Sequence, residues 1–182
     1  MLKSIRKSRQ SGFTLVELGI VLALIGLGLF FAISKMQDTS STSKAQNAAS
    51  DTSNVITNIQ RFYGTAAIFP AAGVSSAAMM GNNLVPERWI NRTGKAPVVI
   101  GPFGTAPTVV QADSGKQALM TFTDVPRNVC GEMVRLVSDG VNVITIGAVT
   151  VKSSGGLLDI NSLGTECNKA AVVSVGFQFK KI

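Results

Sequence analysis

Histidine is absent from the 182 residues, and there are only two cysteines, one tryptophan and one tyrosine. Without histidine no Ser-His-Asp or Cys-His arrangement can be built. A structural zinc site is excluded too, because two cysteines supply half a ligand shell and no imidazole completes it. Charged residues are sparse, at 15%. The acids past the N-terminal third (Glu87, Asp113, Asp124, Glu132, Asp139, Asp159, Glu166) are scattered, with no calcium-loop spacing. No glycine-rich loop runs into Lys-Ser or Lys-Thr, so the common phosphate cradle is missing. These absences argue against an enzyme, and no cofactor is expected. Proline is absent before Pro70, so nothing interrupts a helix in the first third of the chain.

That first third contains one long apolar run. Phe13 to Ile33 reads FTLVELGIVLALIGLGLFFAI, 21 residues with a single charge. At about 1.5 Å per residue such a helix crosses a bilayer core of about 30 Å. Its apolar character goes all the way round instead of forming a stripe, which separates it from an ordinary core helix. Lys3, Arg6, Lys7 and Arg9 precede the run and no acid does, so the leading end is expected on the cytoplasmic side and the rest of the chain outside the membrane. Ala32 and Ser34 form a small-x-small pattern after the run, as at a secretory cleavage site. The run is longer than the apolar region of a secretory signal, and it contains Glu17. Cys130 and Cys167 both fall in the exported part, where a pair of cysteines reads as a disulfide in preference to a metal or redox pair.

The segment Gly12-Phe13-Thr14-Leu15-Val16-Glu17, following a short basic leader and opening the apolar run, resembles the processing site of type IV prepilins. The resemblance implies that a membrane prepilin peptidase cuts the Gly12–Phe13 bond and methylates the new amino terminus at Phe13. The leader, residues 1–12, is then lost and the apolar helix is kept. Removing its four basic residues takes the formal charge from +7 to +3, so the basic balance is largely a leader property and no specific nucleic-acid binding is evident. The resemblance also gives Glu17 a role. An ionised carboxylate deep in a lipid-facing helix costs about 2.5–3.5 kcal/mol on insertion scales. In a bundle of such helices it would meet the free amine of Phe13 from a neighbouring copy, in a medium where opposite charges attract strongly. The competing reading is a carboxylate near a helix end that snorkels to the headgroups. Gly19, Gly26 and Gly28 suit close helix packing. Gly26 and Gly28 together would let the helix lose regular turns in a filament, although the proline that many type IV pilins carry farther along is missing here.

Beyond the apolar half, ten of the 18 residues from Gln37 to Asn54 are Ser, Thr or Asn. Thr52, Val55, Ile56, Ile59, Phe62 and Tyr63 then recur at helical spacing, and Gly64 is placed to cap. One helix from about 13 to 63 is expected, its membrane and assembly half at 13–34 and its amphipathic half at 35–64, with a break in 38–44 as the alternative. Residues 65–182 form the globular domain. Residues 65–95 read as a loop with a short helix around Val85–Asn91. Pro97–Ile100 and Thr108–Gln111 flank GPFGTAP as a hairpin, and Ala118–Thr123 is a short strand. Asp124-Val125-Pro126 resembles a helix start, and Val129, Cys130, Met133 and Leu136–Val137 recur at helical spacing behind it. Asn142–Val151 reads as one central strand. Ala171–Phe179 alternates, with Val173, Val175, Phe177 and Phe179 on one face. Asn91-Arg92-Thr93 fits a glycosylation acceptor, a short pattern that also arises by chance. Trp89 reads as core, and Lys180 and Lys181 as a solvated end.

This order is α+β. It resembles the pilin fold, a long N-terminal helix packed on an antiparallel sheet, with a Cys130–Cys167 bridge closing the C-terminal region. DVPRNVCGEMV followed by TECN is most similar to the type IVb subclass of bundle-forming and conjugative thin-pilus subunits, whereas the short leader and Phe13 are the type IVa habit. The family implies a homopolymer as partner, together with the prepilin peptidase, inner-membrane assembly machinery and an outer-membrane secretin. It places the chain in the inner membrane first and on a surface pilus afterwards. Two other functions fit parts of the pattern: a pseudopilin of a secretion or competence system, and a monomeric membrane-tethered binding domain.

Overall fold

The computed structural model describes residues 15–181, including every side chain among them except those of residue 28 and residues 30–39. Helix α1 runs unbroken from Leu15 to Tyr63, so the chain keeps its helix through 38–44. The chain divides after Ser40 into two compact units. In the first, the described side chains of Leu15–Leu27 are all exposed.

The second unit holds one hydrophobic core. The α1 stripe that enters it is longer than the spacing predicted, running through Ala45, Ala48, Ala49, Thr52, Val55, Ile56 and Ile59. Thr52 is tolerated there because its hydroxyl donates to the Ala48 carbonyl at 2.7 Å. Phe62, expected in the stripe, is 46% exposed.

Helix α2 (Ser76–Gly81) was not anticipated. Ser75 starts it, its hydroxyl accepting from the Ala78 N–H. Pro86 leads into a single 3₁₀ turn, Glu87–Trp89, which replaces the helix expected around Val85–Asn91. Strands β1 (Ile90–Asn91) and β2 (Val98–Val99) form a two-stranded ribbon. The hairpin expected across GPFGTAP is therefore wrong: β2 pairs backwards with β1. Strand β3 (Thr108–Ala112) pairs forwards with β4 (Gln117–Pro126). Between β3 and β4, Gly115 has φ +86°, and a Cβ there would stand 2.6 Å from the Ile68 Cβ, so only glycine fits.

Strand β4 is longer than expected and absorbs Asp124, which caps nothing. Helix α3 (Arg127–Val137) follows directly, with Pro126 at its cap position and no side-chain cap. It buries Val129, Cys130, Met133, Val134 and Val137 and leaves Leu136 about half exposed. The single strand expected over Asn142–Val151 is a hairpin instead, β5 (Val143–Ile146) and β6 (Val149–Lys152), turning at Gly147 with φ +57°. Helix α4 (Ile160–Cys167), also unanticipated, leads to β7 (Val172–Lys180).

The main sheet has the order β3-β4-β7-β5-β6, antiparallel at every pairing. Strand β7 is its centre, with Phe177 opposite Met120 on one side and Ile144 on the other. Val175, Phe177 and Phe179 point into the core as the alternation predicted. Edge-to-face rings bind the layers together: Trp89 and Phe177 each meet Phe122, at 6.0 and 6.2 Å between centroids, and Phe69 meets Phe179 at 6.1 Å.

Candidate functional site

Of the residues singled out from the sequence, Gly12 and Phe13 lie outside the described residues. Glu17 is in the first described turn of α1, is exposed, and belongs to the N-terminal unit. Among the described residues no helix is long and apolar enough to cross a membrane. The run Phe13–Ile33 that carries that expectation begins and ends outside the described side chains.

Cys130 and Cys167 form a disulfide with 5.7 Å between their Cα atoms. It ties the first turn of α3 to the end of α4, and both cysteines are buried. Two further anchors hold this region. Asp159 caps α4: its Oδ1 accepts from the N–H groups of Asn161 (3.0 Å) and Ser162 (3.1 Å), and its Oδ2 accepts from the Ser162 hydroxyl (2.6 Å). These bonds, that of the Ser162 hydroxyl foremost, hold its carboxyl below the usual 3.8. The Asp159 N–H donates to the Val151 carbonyl, which fastens the cap to β6. Lys152 donates to the carbonyls of Ser138 and Val141, gathering the chain that leaves α3.

The third feature escaped sequence reading. Asp51, in the amphipathic half of α1, is only 3% exposed. Its Oδ2 accepts from the Trp89 indole N–H at 2.9 Å and the Arg88 Nε–H at 2.7 Å, and its Oδ1 accepts from the other end of the guanidinium. That bidentate pair raises the Arg88 pKa, chiefly through the hydrogen bond and then through charge. The three residues open onto a cleft of about 530 Å³, also lined by Lys44, Phe103 and Val129. A carboxylate aligned with an apolar helical stripe was the available signal, since such a group needs a donor on the facing layer. Among the described residues no three potential ligands gather to hold a metal ion.

A long N-terminal helix whose second half enters the core of an antiparallel sheet, with a disulfide across the C-terminal region, defines the class: type IV pilins. A family model described as PilS N terminal matches residues 39–177, and one described as the prokaryotic N-terminal methylation motif matches residues 7–33. The chain belongs to the PilS pilin family. Among solved structures it is similar to a type IV b pilin from Salmonella typhi, at 12% identity and a TM-score of 0.50, covering 78% of this chain and 99% of that one. It is also similar to TcpA, a type IV pilin from Vibrio cholerae El Tor biotype, at 18% identity and a TM-score of 0.47, covering 78% and 98%. A search of curated proteins finds no match.

Proposed function

We propose that this chain is the structural subunit of a type IVb pilus, polymerising through the first half of α1 into a surface fibre. The observation that carries the reading is the order of parts. A methylation motif over residues 7–33 leads into a continuous helix, and that helix continues into a PilS head over 39–177. The pilin family implies self-polymerisation, processing by a prepilin peptidase, and membrane anchoring before the extracellular fibre. Pilin families are structural, which supports a reading without catalysis.

In finer terms, cleavage falls between Gly12 and Phe13, and the new amine of Phe13 is methylated. The leader is residues 1–12, the anchoring half of the helix 13–34, its amphipathic half 35–64 and the head 65–182. Before assembly the head faces the periplasm. As helices gather, Glu17 meets the Phe13 amine of a neighbouring copy. The carboxylate that is costly alone in lipid thereby favours assembly. The disulfide favours a true pilin over a pseudopilin, whose subunits commonly lack it.

Intact mass of the mature protein tests the processing, with loss of residues 1–12 and gain of one methyl expected. A mature start at Lys35 would overturn the pilus reading. Electron microscopy of material sheared from the cell surface tests the fibre. Filaments labelled by antibody to this chain are expected, and unlabelled filaments from piliated cells would return it to a pseudopilin or a tethered monomer.

A further inference from the structure

We propose that Asn91 is a glycosylation acceptor, modified at its side-chain nitrogen by a phosphate-activated sugar. Asn91-Arg92-Thr93 has the required spacing, a hydroxyl residue two places after the asparagine, with no proline at the middle position or directly after. In the fold this tripeptide leaves β1 and opens the turn that returns as β2, and residues 92–98 are all exposed. A bulky, hydrated group is tolerated there, because Asn91 is half-exposed at the end of β1 and the turn that follows it lies open to solvent.

The local geometry goes further than the motif. The Asn91 Oδ1 accepts from the Thr93 N–H at 2.9 Å and from the Thr93 hydroxyl at 2.6 Å. Both bonds fall on the carbonyl oxygen. Among the described residues, none is made to Nδ2. The carboxamide is therefore held in one orientation by its oxygen while its nitrogen is left for chemistry. Hydrogen bonds to the oxygen also draw electron density from the N–H groups, which eases loss of the proton that must leave. The middle residue stays clear: Arg92 donates to Glu87 at 2.8 Å, back along the chain.

The step balances as a glycosyl transfer. The Asn91 Nδ2 forms a bond to the anomeric carbon of a sugar carried as a phosphate or pyrophosphate ester. The bond from that carbon to the ester oxygen breaks, and the phosphate leaves with the electron pair. One Nδ2 proton passes to a base on the transferase. The inference rests on the exported head proposed above, since a transferase outside the membrane must reach the turn. It does not require that fibres form.

The test is peptide mapping by mass spectrometry of mature, full-length protein from its native cells, taken from the membrane pool so that assembly is irrelevant. The Asn91 peptide is expected to be heavier by at least one sugar residue. That mass should vanish in N91Q and T93A, persist in T93S, and persist in Glu17→Ala, where fibres are lost. Should N91Q fail to accumulate, T93A against T93S carries the test, since both keep the asparagine and differ in the hydroxyl. Unmodified Asn91 in the wild-type membrane pool overturns the proposal while leaving the pilus reading intact. A sugar on Asn91 that survives in T93A overturns the role given to the hydroxyl.

Discussion

Along α1, the described residues from Leu15 to Leu27 are almost all apolar, and every one is exposed. Between Ala45 and Ile59 the same helix is rich in Ser, Thr and Asn, yet Ala45, Ala48, Ala49, Val55, Ile56 and Ile59 are buried. Composition alone would have reversed the two halves. The second half is buried because its few apolar residues recur at intervals of three and four, which gives one face to one core. Its alanines are small enough to let the helix approach that core closely. The first half is apolar on all sides and has no preferred face. It calls for apolar surroundings on every side, which lipid or a bundle of other copies supplies.

If that division is right, changes in the two halves should fail in different assays. The largest effect is expected from Glu17→Ala. Insertion should be spared, because removing a charge makes it easier, and the head should melt normally. Assembly should be crippled, because on the proposed pairing the neighbouring Phe13 amine would be left without its carboxylate. Breaking a buried pair from one side costs about 3–5 kcal/mol, which is at least about a hundredfold in association. Glu17→Gln should be nearly as damaging. Normal sheared-fibre yield from Glu17→Ala, at wild-type membrane levels, would remove the distinction.

Next comes the disulfide. Cys130→Ser should act through stability alone, by about 3–4 kcal/mol on the chain-entropy estimate for a loop of 37 residues. The expected readout is a lower thermal midpoint and a lower steady-state level, since a loss of that size is a large part of ordinary stability. Non-reducing peptide mapping that finds two free thiols would contradict the bond itself.

Asp51 is the sharper probe of the buried half. Asp51→Ala orphans the buried Trp89 indole N–H, at a cost of about 1–3 kcal/mol. Asp51→Asn keeps an acceptor for the indole and should lose less. Arg88 is 63% exposed, so the ionic share of the pair is screened. Trp89 is the only tryptophan, so denaturation followed by its fluorescence reads this contact directly. Equal losses from the two variants would mean that charge, and not the indole bond, matters there.

The smallest effect belongs to Asp159. Its carboxyl is held below the ordinary value in the folded head, so its contribution is complete above pH 3.8 and fades as the pH falls through the lowered folded value. Asp159→Asn should flatten the acid limb of the head's stability profile over that window and lower its stability slightly near neutrality, where the carboxylate's contribution is complete, so that the two proteins converge in acid. Acid melts of the two proteins compare them.

Much of this was legible beforehand, and the misreadings have physical causes. The helix end at Tyr63 and the alternation of β7 followed from periodicity, and the burial of Trp89 from the preference of a large apolar ring for the core. The hairpin across GPFGTAP failed because β2 is two residues long and its partner precedes it, at a range that periodicity does not address. Asn142–Val151 reads as one strand because apolar residues continue on both sides of Gly147, which turns the chain. Helix α4 was missed although Asp159 carries its cap, since eight residues give too little period to stand out. Of the candidate site, the cysteines could be paired on paper because there are only two. Asp51 could not, because its partners lie 37 and 38 residues away on another element.

Strand β7 sits between β4 and β5 although it is the last of the five strands in chain order. Until it arrives, the head consists of two separate hairpins, β3 with β4 and β5 with β6, which share no hydrogen-bonded edge. Each presents an open strand where β7 belongs. A chain threaded across a membrane from its N-terminal side therefore cannot close its sheet as it emerges. It must wait for residues 172–180, and until then the β4 edge, and later the β5 edge as well, lacks its partner. For a head exported as proposed, topology thus separates export from folding in time. A nick between α4 and β7 would turn one subunit into a two-piece protein whose short fragment is a strand that the long fragment is built to accept.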